Sequence, residues 1–241
     1  MKKYVLLIQA IIPLNNVYFL VMFDKKKISL NHARSNKVKD IKANKFFFTL
    51  STMLLERASS KIKIIKENKI LELASRNNSL YEILKANGLN SNFYQSTLSK
   101  NVILPNKKRV IASLNDQVFI NDFFDICFCI LSVNSSKNVP ELFHIVYNIL
   151  KPKGIFLAVL PSSQSFLEFR NFFLNFFQPA KNFSFNPALD IQTLGNIGSS
   201  AGFNNVIVDK EEFKFAIERP EEIWRFIRSL GESNYLKERR R

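Results

Sequence analysis

The stretch Ile70–Asn78, "ILELASRNN", places a carboxylate, Glu72, inside an apolar run and follows it with a polar segment of Ser75, Arg76, Asn77 and Asn78. A buried strand opening into a turn is where an open α/β sheet holds a ligand. Glycines in such a turn let the backbone come close without a Cβ clash. Here the strand is intact and the turn has no glycine. The other chemistry-bearing types are sparse. Cys127 and Cys129 stand two apart in an apolar run, so on a strand they share a face and do not bridge easily. With only His32 and His144 beside them they do not make a structural zinc site, and no metal is expected. They read as core thiols of a reducing compartment. There is no Walker glycine-lysine loop and no Gly-x-Ser-x-Gly elbow. Ser162 and Ser163 have no evident histidine partner, since His144 falls on a helix. No catalytic residue is assigned.

The elements that must position these residues are read from a chain of 241 residues, 46% hydrophobic and 23% charged, which suits a single globular domain with its own core. The formal net charge is +15. Lysines scattered over a solvated surface account for it, and no segment interleaves them with aromatics as an RNA-binding chain does, so a nucleic-acid partner is not expected. The start, "MKKYVLLIQAIIPLNNVYFLVMF", joins a basic beginning to an apolar middle. Gln9, Pro13, Asn15 and Asn16 interrupt it short of the ~20 apolar residues a membrane span needs. Residues 1–21 are therefore set apart as an N-terminal extension, either a mis-assigned start ahead of Met22 or an anchor. Residues 22–241 form the domain. The expected location is the cytoplasm, with membrane association through residues 1–21 as the alternative.

Within the domain a helical pattern runs from Val38 to Ser60, with Phe46, Phe47, Leu50, Met53 and Leu54 on one stripe. A strand at Lys69 to Ala74 and a helix at Ser79 to Ala86 follow, then strands at Asn92 to Thr97 and Arg109 to Ser113. The run Phe123 to Leu131 has the composition of a strand covered on both faces. Pro140 to Leu150 is an amphipathic helix and Ile155 to Leu160 another buried strand. Ser162 or Ser163 caps a helix carrying Phe169, Phe172, Phe173 and Phe176. Leu189 to Ala201 is helical, strands at Asn205 to Lys210 and Glu212 to Ile217 are close enough to pair antiparallel, and Pro220 to Leu230 closes the pattern as a helix. Strands alternating with helices predict βαβ units on a parallel sheet.

This order, together with "FDICFCILSVNSSKNVPELFHIVYNILKPKG", resembles the class I S-adenosylmethionine-dependent methyltransferases. Phe124-Asp125 opens a strand, and Leu150-Lys151-Pro152-Lys153-Gly154 precedes the next at the family's separation. Three further stretches narrow the likeness: "MFDKKKISLNHARS", "FNPALDIQTLGNIGSSAGF" and "IRSLGESNYLKERRR". They are similar to a subfamily containing the biotin-synthesis methyltransferase and the complex I assembly factors of methyltransferase type. The resemblance covers nearly everything after Met22, and Gly231-Glu232-Ser233-Asn234 is its most specific match.

The resemblance implies an α/β, Rossmann-like class I methyltransferase fold. Its mostly parallel seven-stranded sheet would carry helices on both faces, an N-terminal helical cap and a terminal antiparallel hairpin. It also implies where S-adenosylmethionine would lie. Glu72 takes the acidic place of the first motif strand, and Ala74, Arg76 and Asn78 take its three glycine places. Thr97 stands for the acid that holds the ribose. Ser113 or Asn115 stands for the acid that reads the adenine, with Asp116 one residue on. Asn134-Ser135 replaces the subfamily's His-Trp. Glu232 and Asn234 fall in a segment that approaches the cleft. Losing charge-assisted hydrogen bonds, about 1.5–3 kcal/mol each, makes the cofactor site degenerate. The expectation is a methyltransferase-like binding or assembly factor with a protein partner; the alternative is an active methyltransferase on a small-molecule or protein acceptor.

Overall fold

In the computed structural model the described residues are 3–10, 24–37, 40–162, 164–168, 171, 188–216 and 219–233. The strands in chain order are β1 (Tyr4–Ala10), β2 (Ile70–Leu73), β3 (Phe93–Thr97), β4 (Arg109–Ile111), β5 (Phe124–Ile130), β6 (Leu150–Pro161) and β7 (Asn205–Glu211). The helices are α1 (Lys25–Lys37), α2 (Ile41–Ser59), α3 (Ser79–Ala86), α4 (Val139–Ile149), α5 (Ile191–Ser200) and α6 (Pro220–Ser229). The expected helix at Val38 to Ser60 is α2. The helix expected after Ser162 or Ser163 falls largely on residues outside the described ones.

The strands form one sheet in the order β4-β3-β2-β5-β6-β1-β7, and every pairing in it is parallel. The chain builds outward from β2 to β4, then returns to lay β5 on the other side of β2. That reversal makes the carboxyl ends of β2 and β5 the switch point where such sheets hold ligands. The seven-stranded α/β architecture expected from the sequence is present.

The terminal antiparallel hairpin is not. β7 pairs in parallel with β1, Tyr4 with Asn205 through Ala10 with Glu211, while β1 pairs with β6 on its other side. The place that Glu212 to Ile217 would have taken beside β7 is filled by β1, so Tyr4–Ala10, part of the segment set apart as an extension, belongs to the sheet. Glu212 to Ala216 carry no strand; instead the Phe213 and Phe215 rings each lie edge-on to Phe46 at 5.1 Å. Among the described residues no helix is long and apolar enough to cross a membrane.

Both faces of the sheet are covered, which explains the unbroken apolar runs. Alternation along β5 sends Cys127 and Cys129 to one core with Phe143 and Val146 of α4. It sends Ile126, Phe128 and Ile130 to the other, with Leu50 and Leu54 of α2 and Leu80 of α3. The two cysteines are buried free thiols, as expected; burial pushes the Cys129 thiol up to about 12. Caps set the helix starts: Asp40 accepts from the Ala43 N–H at 2.8 Å before α2, and Asn138 accepts from Glu141 N–H at 3.2 Å before α4.

Candidate functional site

The turn after β2 is fixed from below by β3. The Ala74 N–H donates to Ser96 Oγ at 2.9 Å, and the Ser75 N–H donates to the Ser96 carbonyl at 2.8 Å. Ala74 is held at φ 50°, a left-handed conformation that glycine adopts at no steric cost. Two residues on, the chain launches Arg76 across the switch point.

Arg76 does not leave the cleft for solvent. Its side chain is 1% exposed. Nη1 donates to the Leu230 carbonyl at 2.5 Å and to Glu232 Oε1 at 2.8 Å. Nη2 donates to the Leu131 carbonyl and, at 3.1 Å, to Ser132 Oγ. The guanidinium thus ties the turn after β2 to the end of β5 and the end of α6. Arginine's planar fork suits this arrangement, and lysine's point charge would not reproduce it. Gly231 makes room for the contact. Its φ is +73°, and a Cβ there would meet Arg76 Nη1 at 2.9 Å. The Gly231 and Glu232 N–H groups turn back onto the carbonyls of Arg228 and Ile227, closing α6 and delivering the Glu232 carboxylate to Arg76.

Below this pair lies Glu72, buried, with Gln95 directly opposite it on β3. Gln95 Nε2 donates to Glu72 Oε2 and to Ser75 Oγ, each at 3.0 Å. Burial raises the Glu72 carboxyl to about 7 against the opposing pull of the Gln95 and Ser75 hydrogen bonds. On α1, His32 is buried beside Arg76, and burial first, then the arginine charge, holds it well below the usual histidine range. Among the described residues neither ring nitrogen of His32 has a hydrogen-bond partner.

The remaining positions inferred from the resemblance are occupied by local structure. Thr97 Oγ1 donates to the Ser99 carbonyl at 3.2 Å. The Ser113 N–H donates to Asp116 Oδ2 at 2.6 Å. Asn115 Nδ2 donates to the Asn138 carbonyl and to Glu141 Oε2, while its oxygen accepts from Ser136, so it braces the start of α4. Asn78 stands at the N-cap of α3 without a side-chain cap bond. Asn134 Nδ2 reaches the Pro161 carbonyl at 3.5 Å. Asn234 lies outside the described residues. The structure therefore brings Glu72, Ala74, Arg76 and Glu232 together at the switch point, and no hydrogen bond among the described residues joins Thr97, Ser113 or Asn115 to them. Sequence reasoning passed over Gln95, His32 and Ser132. Pairing β2 with β3 in register would have found Gln95; nothing local marks the other two. Among the described residues no group of three His, Cys, Asp or Glu could hold a metal.

No protein-family model matches the chain. Among curated proteins, the mitochondrial arginine-hydroxylase NDUFAF5 of Dictyostelium discoideum is 23% identical over 86% of this chain and 54% of its own length. Its human counterpart is 24% identical over 59% of this chain and 44% of its own. Malonyl-[acyl-carrier protein] O-methyltransferase 2 of Coxiella burnetii is 24% identical over 52% and 46%. The chain spans about half the length of the curated relatives it matches. Among solved structures, a complex of the Haloferax volcanii Trm112 methyltransferase activator with a methyltransferase gives a TM-score of 0.49 at 11% identity, covering 69% of this chain and 77% of that one. A Haemonchus contortus phosphoethanolamine N-methyltransferase 2 gives 0.47 at 15%, covering 64% and 37%. The sheet order and the curated relatives bear out the resemblance read in the sequence: an α/β class I methyltransferase fold, similar to the biotin-synthesis and complex I assembly-factor type.

Proposed function

We propose that this chain is a methyltransferase-like protein whose cofactor cleft is closed by its own Arg76, and that it acts as a binding or assembly factor for a protein partner. The observation that carries the reading is the placement of the Arg76 guanidinium between the ends of β5 and α6, bound to Glu232 and two carbonyls. S-adenosylmethionine does not fit the cleft so built. A sulfonium cation would be set beside a buried guanidinium, and like charges at such range repel. The hydroxyl of Thr97 is turned to its own loop rather than toward a ribose. The name of the Dictyostelium relative, a hydroxylase, fits a fold used for work other than methyl transfer. A cytoplasmic location belongs to the same proposal.

One observation favours the second reading, an active methyltransferase. Glu72 keeps its place and Ala74 keeps a positive φ, so the turn retains its backbone path without glycine. Calorimetry with S-adenosylmethionine separates the two. The expected outcome is no micromolar binding by the unaltered chain; a micromolar dissociation constant would overturn the closed-cleft reading. Arg76→Gly combined with Thr97→Asp is expected to create measurable binding. If that variant stays folded and still binds nothing, the assignment of these positions to the cofactor motif is wrong.

A further inference from the structure

At the opposite end of the sheet from Arg76, the fold assembles a line of cations that the sequence scatters. Asn92 Nδ2 donates to the Lys66 carbonyl at 3.2 Å, and Lys108 Nζ donates to the neighbouring Ser91 carbonyl at 2.7 Å. The same Lys108 Nζ lies 5.0 Å over the Tyr94 ring, which meets Phe123 edge-on at 5.7 Å. Lys69 Nζ lies 3.7 Å over Phe123. The Lys69 N–H donates to Asp125 Oδ2 at 2.8 Å, and Lys151 Nζ binds the same carboxylate at 2.8 Å. Through these contacts, made by the Lys66 carbonyl and the Lys69 backbone N–H as well as by ammonium groups, the row connects from Lys66 to Lys151.

Its spacing follows from the sheet. Lys108 precedes edge strand β4, Lys69 precedes β2, and Lys151 begins β6, so the cations stand two strands apart in the strand order. Neighbouring strands lie ~4.8 Å apart, which puts roughly 10 Å between the strand starts that carry Lys108, Lys69 and Lys151. Exposed Lys63 and Lys107 flank the line. Of the acids here, Asp125 is held by Lys151 and Asp122, itself exposed, by Lys3; Glu67 is exposed as well.

We propose that this amino-terminal rim, from Lys63 and Lys66 through Lys107, Lys108 and Lys69 to Lys151, is a docking surface for the sugar-phosphate backbone of a nucleic acid. A linear, regularly spaced row of cations complements a linear polyanion, and a net charge of +15 supplies the long-range attraction. The half-buried rings of Tyr94 and Phe123 carry lysine ammoniums over them, so at these two rings the rim presents charge. Recognition is of phosphate and is independent of base sequence. The surface is remote from the Arg76 cleft and does not depend on whether that cleft binds a cofactor.

The test is anisotropy of a labelled oligouridine with the full chain. Affinity should fall as salt rises from about 50 to 200 mM, with a log–log slope of about −0.7 per phosphate contacted. Lys63→Glu/Lys66→Glu/Lys107→Glu should weaken binding at least about tenfold with unchanged melting temperature. Lys25→Glu/Lys26→Glu/Lys45→Glu, an equal charge change on exposed lysines of α1 and α2, should weaken it no more than about threefold. Equal losses from both triple variants would overturn the proposal, because net charge alone would then explain binding. Absence of RNA binding would also overturn it. Tighter, rim-dependent binding to phosphatidylserine vesicles or to polyglutamate would replace it with a lipid or an acidic-protein partner.

Discussion

Arg76 and Glu232 meet at 2.8 Å with side chains 1% and 7% exposed, joining the first turn of the domain's ligand end to the end of its last described helix. A buried pair of this kind is a poor source of net stability but costly to break from one side, because the surviving charge stays buried without its opposite charge. Arg76→Ala leaves the Glu232 carboxylate and the Leu131 and Leu230 carbonyls without the guanidinium, and is expected to lower unfolding free energy by about 3–5 kcal/mol. Arg76→Met with Glu232→Leu, which removes both charges and keeps volume, should recover most of that loss. Chemical denaturation of the three proteins checks this. A loss below about 1 kcal/mol for Arg76→Ala would mean the guanidinium is not anchored in the cleft.

The pH dependence of stability has two opposed contributions at this end of the sheet. The Glu72 carboxyl, raised from 4.5 to about 7 by burial, favours its neutral form in the fold. Its contribution is fully present below pH 4.5 and is lost as pH rises through about 7. His32, lowered by burial and by Arg76, contributes stability present above its usual value and lost as pH falls below it. Between these values the slopes partly cancel. Glu72→Gln keeps the contact with Gln95 and removes the carboxylate, so it should abolish the alkaline-side loss, on the order of 3 kcal/mol. Its stability should then fall only toward acid. Denaturant midpoints across pH 4 to 8 measure the difference, and an unchanged profile would show that Glu72 is not the titrating group.

The fold was legible wherever local pattern and burial agree. Phe123 to Leu131 reads as a doubly covered strand because alternate residues feed two cores, and Pro140 to Leu150 reads as a helix because its apolar stripe is the face it buries. The hairpin was misread because pairing in a sheet is decided by competition. Nothing in Glu212 to Ile217 shows that a segment some two hundred residues upstream already occupies the adjoining place. Glu72 and Glu232 were found through the resemblance. The destination of Arg76 was not, since a long side chain can reach solvent or cleft and the choice depends on carbonyls at Leu131 and Leu230, distant in sequence.

The insertion of β1 makes its own prediction through α5. Gly198 faces Val206 and Val5 so closely that a Cβ would lie 2.9 Å from Val206 Cγ1 and 3.3 Å from Val5 Cγ1. Val5 is itself buried at 2% exposure. Gly198→Val should therefore destabilise by about 1–3 kcal/mol through overpacking, although glycine in a helix interior is otherwise the weaker choice. Val5→Ala should relieve part of that cost when the two are combined, giving a coupling of at least about 0.5 kcal/mol. Additive effects in thermal unfolding would indicate that β1 does not pack against α5.

Gly231 ties backbone strain to the cleft arginine, and the two parts can be separated. At φ +73° any L-residue pays for the left-handed conformation, about 1–2 kcal/mol. A Cβ there also meets Arg76 Nη1 at 2.9 Å and Ser35 Cβ at 3.2 Å. Gly231→Ala should thus cost more in the unaltered chain than in an Arg76→Ala background, where only the backbone cost and the Ser35 approach remain. The difference, expected to exceed about 0.5 kcal/mol, is measured by a double-mutant cycle in denaturant. Equal costs in both backgrounds would mean that the guanidinium does not lie against Gly231, and with that the closed cleft would lose its lock at α6.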